Sequence, residues 1–403
     1  MKKFSAIFLS LALIFTFTFP CSAKTVSMEY EADDLNVPLE AVATVGEIGQ
    51  TLDIKAKSCI LMEAKTGKIL YEDNADEVTA PASITKIMSL VLIMEALDDG
   101  RLTLETVVTA SEHAAKMGGS QIWLEPGEQM TVNDLLKATV IASANDATVA
   151  LAEAVSGSEE TFVNEMNKKA KAIGMNSTTF INCTGLDAEG HTTTAHDVAL
   201  MSRELIGHEL IKQYSTVWME TLRNGESELV NTNKLVRFYE GCTGLKTGTT
   251  SIAGACLSAT AERNGLELCA VVMGASNSND RFQGARKLLD YGFANYTYIT
   301  ASADAAELKP IEVKGGTEDF VLPICNKKQS FLIEKSKAKD ITVITELPNE
   351  LKAPIEQGQQ IGVARVKIGD EEIGTVPITA EFSVEKMTLW NAVKQMLGAI
   401  FAV

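Results

Sequence analysis

The sequence predicts a mixed α/β (α+β) chain: an antiparallel sheet packed with helices, then a small all-β domain, then a C-terminal amphipathic helix. Three observations predict it. The run from Ile84 to Leu97 is apolar on every side, which suits a helix buried all round better than one lying on a surface. Two stretches carry hairpin signatures: "SCILMEAKTGKILYED" alternates around Lys65-Thr66-Gly67, and "AGACLSATAERNGLELCAVVMGA" turns at Asn264-Gly265. From about Glu307 the texture changes to short alternating segments such as "IGVARVKIG" and "TVPITAEFSV", separated by Gly, Pro and Asn.

Taken in order, residues 1–23 have a basic start (Lys2, Lys3), an apolar stretch and a small-residue "CSA" before Lys24, which reads as a secretory signal peptide. Residues 24–50 are acidic and unpatterned, an extended leader. The main α/β domain spans 51–300, with helical patterns at 132–155 and 159–173 and a closing helix in "RFQGARKLLDYGFANY". The β domain, of sandwich type, spans 305–382. In 383–403, Leu389, Val393, Met396, Leu397 and Ile400 share one helical face while Lys386, Asn391, Lys394 and Gln395 lie elsewhere. That helix is too polar to span a bilayer but suits its interface, so the chain is expected to be exported and held peripherally on the outer face of the cytoplasmic membrane.

The 403 residues carry a formal charge of -17 and a pI near 4.8, with no basic run, which argues against a nucleic-acid partner. The seven cysteines match no CxxC zinc pattern, and a chain this large needs no disulfide framework, so most read as small core residues. His191 and His196 are five apart and no HExxH occurs. Neither a metal nor another cofactor is expected.

One feature of the apolar run is out of place: Ser83, Thr85 and Lys86 stand at its front. With Ser83 in the first turn of the buried helix, Lys86 lies one turn on and on the same face, so the hydroxyl and the amine come within hydrogen-bonding reach as nucleophile and base. A lysine held in low dielectric loses part of its preference for the charged form and can take the serine proton. Ser-x-x-Lys alone is cheap, recurring at Ser336/Lys339 and Ser383/Lys386, and Lys-Thr-Gly has a second copy at 65–67. Order decides. Ser83/Lys86, then Ser143-Ala144-Asn145, then Lys246-Thr247-Gly248 fall on a helix start, in a helical region and on a strand.

With this triple the chain resembles the low-molecular-weight penicillin-binding proteins that are serine-type D-alanyl-D-alanine carboxypeptidases. The resemblance extends to "GGSQIWLEPGE", "GMNSTTFINCTGLDAEGHTTTAHDVAL", "NTNKLVRFYEG", "GLKTGTTSIAG", the terminal β domain and the amphipathic tail. It implies the serine β-lactamase/transpeptidase-like fold and a peptidoglycan stem peptide as substrate. It also implies that Ser83 attacks the carbonyl between the two terminal D-alanines with Lys86 as base, and that the N–H groups of Ser83 and Thr249 form the oxyanion hole. Ser143 would pass a proton to the departing D-alanine, and Asn145 would position substrate and Lys86. Lys246 and Thr247 would hold the terminal carboxylate, and Gly248 would let the strand lie close to the substrate. β-Lactam antibiotics would be covalent inhibitors at Ser83. Arg281 stands where it could approach the substrate carboxylate, and His191 reads as structural. Three places depart from the family pattern: Cys183 replaces a common proline, Cys242-Thr243 replace Val/Ala-Asp, and Thr249 replaces a frequently larger residue.

A β-lactamase needs a Glu-x-x-Leu-Asn loop between Ser143 and Lys246, and the closest imitation, "ETFVN", sits in a helical pattern. A Ser-His-Asp hydrolase is disfavoured by the lack of Gly-x-Ser-x-Gly and by only four histidines. The remaining rival is a membrane-tethered wall-binding protein that keeps the fold without turnover.

Overall fold

A computed structural model describes residues 48–303 and 308–393; the expected signal peptide, nearly all of the leader and the end of the C-terminal tail lie outside them. Five antiparallel strands form the central sheet. In chain order they are β1 (Ser58–Glu63), β2 (Ile69–Asp73), β3 (Cys242–Thr250), β4 (Gly254–Arg263) and β5 (Leu266–Ala275), and across the sheet they run β2-β1-β5-β4-β3. The two sequence hairpins are β1–β2 and β4–β5. Asn264 and Gly265 both take positive φ (52° and 77°), as a two-residue turn between twisted strands requires.

The long helices are α1 (Lys86–Asp98), α2 (Val132–Ile141), α3 (Asn145–Ser156), α4 (Glu159–Ala172), α5 (Ala195–Ile206) and α6 (Ser278–Asn295). Strand β5 shows how they are divided. Cys269, Val271 and Met273 point into a core shared with α1–α5, whereas Leu268, Ala270 and Val272 point into one shared with Phe282, Leu288 and Leu289 of α6. The period-two alternation is therefore apolar on both faces, which is why these strands read as unbroken hydrophobic runs. Helix α1 is the counterpart among helices: every residue from Lys86 to Met94 is buried, because sheet and helices surround it.

Two expectations change in detail. The helical pattern at 132–155 is two helices, broken at Ala142–Ala144, where Ser143 adopts φ +64°. Ser83 lies just ahead of α1, in a 3-10 turn over Ala82–Thr85. Pro81 and the positive φ of Ala82 (48°) rule out extending the α-helix backwards, and the tighter turn takes its place.

Strand Tyr296–Ala301 follows α6 directly and pairs with Gln329–Glu334. Beyond it stand a four-stranded sheet, whose centre is the Gln360–Ile368/Glu371–Ala380 hairpin, and a three-stranded sheet. Tyr298 of the strand after α6 donates to the fully buried Glu63 carboxylate at 2.8 Å, and Lys335 of the β domain donates to the Phe293 carbonyl at 2.6 Å. The expected helix over 383–403 starts later. Val384 is buried and pairs with Ile355, Lys386 pairs with Gly316, and helix begins at Leu389. Leu389 and Trp390 are 90% and 68% exposed; the positions of Met396, Leu397 and Ile400 fall outside the described residues.

Candidate active site

The seat of Ser83 is made by two glycines. A Cβ on Gly248 of β3 would lie 2.9 Å from the Ser83 nitrogen and 3.0 Å from that of Ile84, and one on Gly185 would lie 1.8 Å from the Ala82 carbonyl oxygen. Both contacts are with backbone, which cannot step aside, so the strand and the 185 loop close on the serine turn only because neither residue has a side chain. In a 3-10 turn, side chains three apart eclipse. Lys86 Nζ accordingly lies 3.1 Å from Ser83 Oγ.

Lys86 is fully buried and donates to two further oxygens, Asn145 Oδ1 at 2.5 Å and the Thr184 carbonyl at 2.7 Å. Burial pulls its pKa down to about 7, with Cys183 and Asp146 opposing the fall. The orientation of Asn145 is fixed independently: its Nδ2 donates to the Gly118 carbonyl at 2.6 Å, so Oδ1 must face the lysine. Asp146 holds the loop that supplies that carbonyl. Its buried carboxylate accepts N–H bonds from Ile122 and Leu124 at 3.0–3.2 Å, while the Asn145 amide donates to Ser120 O at 2.7 Å. Desolvation raises the Asp146 pKa, with the backbone donors opposing it. Ser143 is 4% exposed, on the break between α2 and α3. Among the described residues no hydrogen bond joins its hydroxyl to Ser83 or Lys86.

On β3, Lys246 is buried and donates to the Thr247 carbonyl at 3.1 Å, and Thr247 Oγ1 donates to Thr232 Oγ1 at 2.7 Å. Burial, aided by the positive charges of Lys86 and Arg281, holds the Lys246 pKa well below its ordinary value. Arg281 reaches from α6, donating to Thr249 Oγ1 at 2.8 Å and to the Gly248 carbonyl at 3.2 Å. Thr250 at the strand end donates to Asp187 at 2.8 Å, tying β3 to the loop that carries Gly185. Two lysines and an arginine thus converge in an acidic protein. The pocket suits an anionic end group beside a nucleophile–base pair.

His191 is buried, its Nδ1 accepting from the Ile181 amide at 3.3 Å and its Nε2 lying 2.9 Å from Thr85 Oγ1. Burial depresses its pKa to about 4, so it is a neutral core histidine. Cys183 uses its amide to donate to Glu159 at 3.1 Å, and Glu159 pairs with His113 at 2.6 Å. A proline at 183 could not make that bond. The six cysteines among the described residues are all free, and no group of three or more His, Cys, Asp or Glu there could hold a metal ion. The carbonyls of Thr184 and Gly118, the Thr232 hydroxyl and the Asp146 carboxylate are the parts that sequence reasoning did not find.

Residues 44–277 match the family described as D-alanyl-D-alanine carboxypeptidase, peptidase S11, and residues 296–386 match the penicillin-binding protein 5 C-terminal domain. D-alanyl-D-alanine carboxypeptidase DacF of Bacillus subtilis is 42% identical over 348 residues, 85% of this chain and 90% of the relative. Among solved structures, penicillin-binding protein 5 from Haemophilus influenzae superposes with a TM-score of 0.69 at 30% identity, covering 84% of this chain and 99% of its own. Penicillin-binding protein D2 from Listeria monocytogenes, in its ampicillin-bound form, gives 0.56 at 32% identity, covering 60% of this chain and 100% of its own.

Proposed function

This chain belongs to the D-alanyl-D-alanine carboxypeptidase family, peptidase S11, and acts in peptidoglycan remodelling, and from that premise we propose that Ser83 is its nucleophile and Lys86 its general base. The observation that carries the assignment is the Ser83–Lys86–Asn145 constellation, with a serine oxygen 3.1 Å from a buried amine whose pKa is near 7. Ser83 Oγ attacks the carbonyl between the terminal D-alanines as Lys86 takes its proton. The oxyanion forms against the N–H groups of Ser83 and Thr249, donors typically worth about 2.7–4 kcal/mol each at the barrier. The C–N bond then breaks, Ser143 delivers a proton to the departing amine, and D-alanine leaves. Ser143 regains its proton from Lys86; water then adds to the acyl carbonyl and the C–Oγ bond breaks, so the water oxygen leaves in the new carboxyl group and Ser83 Oγ takes back a proton. Lys246 and Thr247 bind the terminal carboxylate, whose charge restores the ammonium form of Lys246.

A β-lactam enters the same path and stalls at the acyl-enzyme, a reading supported by the ampicillin-bound form of the Listeria protein. Export by residues 1–23 and attachment through the C-terminal helix place the enzyme on the outer face of the cytoplasmic membrane. The deciding experiment is intact-protein mass spectrometry of wild type and Ser83→Ala with benzylpenicillin and, separately, diacetyl-Lys-D-Ala-D-Ala. A penicilloyl adduct on wild type only, with release of one D-alanine from the peptide, is expected. An adduct that survives Ser83→Ala would mean another nucleophile, and an adduct without D-alanine release would favour a non-catalytic binding protein.

A further inference from the structure

Outside the catalytic constellation, the loop that begins at Gly118 goes on to form one wall of a cleft of about 540 Å³, lined by Trp123, Glu125, Pro126, Gly127, Glu128 and Arg223. That volume falls within the ~300–1,000 Å³ of small-ligand sites. We propose that this cleft is a carbohydrate subsite, which takes the amino sugar bearing the stem peptide against the Trp123 indole. The inference rests on the carboxypeptidase reading, in which the stem peptide cut at Ser83 carries a sugar at its other end.

The walls are fixed and the indole is presented. Arg223 bridges from the Met219–Leu222/Ser227–Val230 hairpin to the loop, donating to Glu128 at 2.9 and 3.2 Å, to the Ile122 carbonyl at 2.9 Å and to Ser227 at 3.2 Å. Trp123 is nonetheless 49% exposed, and it and Arg223 both hold positive φ (55° and 52°). That conformation costs a non-glycine residue about 1–3 kcal/mol, so surrounding contacts must enforce it, and such outliers gather at ligand sites.

Reach agrees. Ser120 bonds the Asn145 amide at 2.7 Å, and the three residues on to Trp123 extend at most about 11 Å. The four stem residues between the scissile carbonyl and the sugar extend about 13–14 Å. The loop is thus tethered to the Asn145 that bonds Lys86, and its span to Trp123 is of the same order as the length of a stem peptide. The chemistry suits a sugar: Arg223 is paired with Glu128, and Glu125 supplies a further carboxylate that can accept from ring hydroxyls. A cleft lined by an indole, two carboxylates and a guanidinium matches a ring with an apolar face and a rim of hydroxyls.

The test compares kcat/KM for a free pentapeptide and for the disaccharide-pentapeptide, using the full mature chain as wild type, Trp123→Ala and Trp123→Phe. Wild type is expected to favour the disaccharide-pentapeptide at least about fivefold, chiefly through KM. The ratio should fall to about one in Trp123→Ala and stay largely intact in Trp123→Phe, which keeps an aromatic face. Equal kcat/KM on the two substrates in wild type, or proportional losses on both in Trp123→Ala, would overturn the subsite while leaving the carboxypeptidase reading standing. Failure to release D-alanine from either substrate would overturn both.

Discussion

Lys86 meets three oxygens, and they are not equivalent. The Asn145 and Thr184 oxygens can only accept, whereas the Ser83 hydroxyl can accept or donate. When the ammonium loses a proton, its two remaining N–H bonds keep the carbonyl-type partners and its lone pair faces the serine. Protonation fills that lone pair, so the acid limb of kcat/KM should fall tenfold per pH unit below about 7, the value to which burial lowers the amine. The charged or titratable groups facing Lys86 are Cys183 and Asp146, with Lys246 beyond. Asp146→Asn removes one negative charge that favours the ammonium and disturbs the loop that orients Asn145. We therefore expect the acid limb to move to lower pH while the plateau drops about tenfold or more, as measured by the pH dependence of acylation. An unmoved limb would leave Asp146 with a purely structural part. None of this second layer was legible in the sequence: backbone carbonyls have no residue signature, and Thr184 lies 98 positions from Lys86.

At the scale of elements, the proposed nucleophile Ser83 belongs to a turn clamped between a strand and a loop rather than to a free helix end. Gly248→Ala tests the clamp. Its methyl group would press on the amides of Ser83 and Ile84, and overpacking of this kind costs about 1–3 kcal/mol. A folded protein with a modestly lower Tm and acylation by benzylpenicillin slowed at least about a hundredfold is the expected result; near-normal acylation would mean the strand can move aside. The strand itself, the two hairpins and the buried helix were legible, because period-two runs, the Asn-Gly turn and all-round apolarity are local signals. The break at Ser143 and the 3-10 turn at Ser83 were not, since positive φ at Ser143 and Ala82 is set by what packs around them. Cys183 is a middle case: its departure from the family pattern was visible, but its bond to Glu159 depends on a residue 24 positions away.

At the scale of the whole molecule, the site and the proposed anchor sit in different domains. Among the described residues no helix is long and apolar enough to cross a membrane, and the tail shows 90% exposed Leu389 beside Trp390. Each large apolar side chain it buries in a bilayer interface would contribute up to about 1.5–3 kcal/mol. The mature chain should float with anionic lipid vesicles. A chain ending at Met387, which keeps the buried Val384, should stay in solution and still release D-alanine from a soluble peptide at the wild-type rate. Flotation of that shortened chain would move the anchor elsewhere. Between anchor and site, strand Tyr296–Ala301 leaves α6 with no intervening linker, and Tyr298 is bonded to Glu63 beneath the first hairpin. A joint built in this way resists swinging. Were the proposed anchor seated on a bilayer, the β domain would become a pedestal of set height, and the enzyme would trim the wall at one altitude above the membrane.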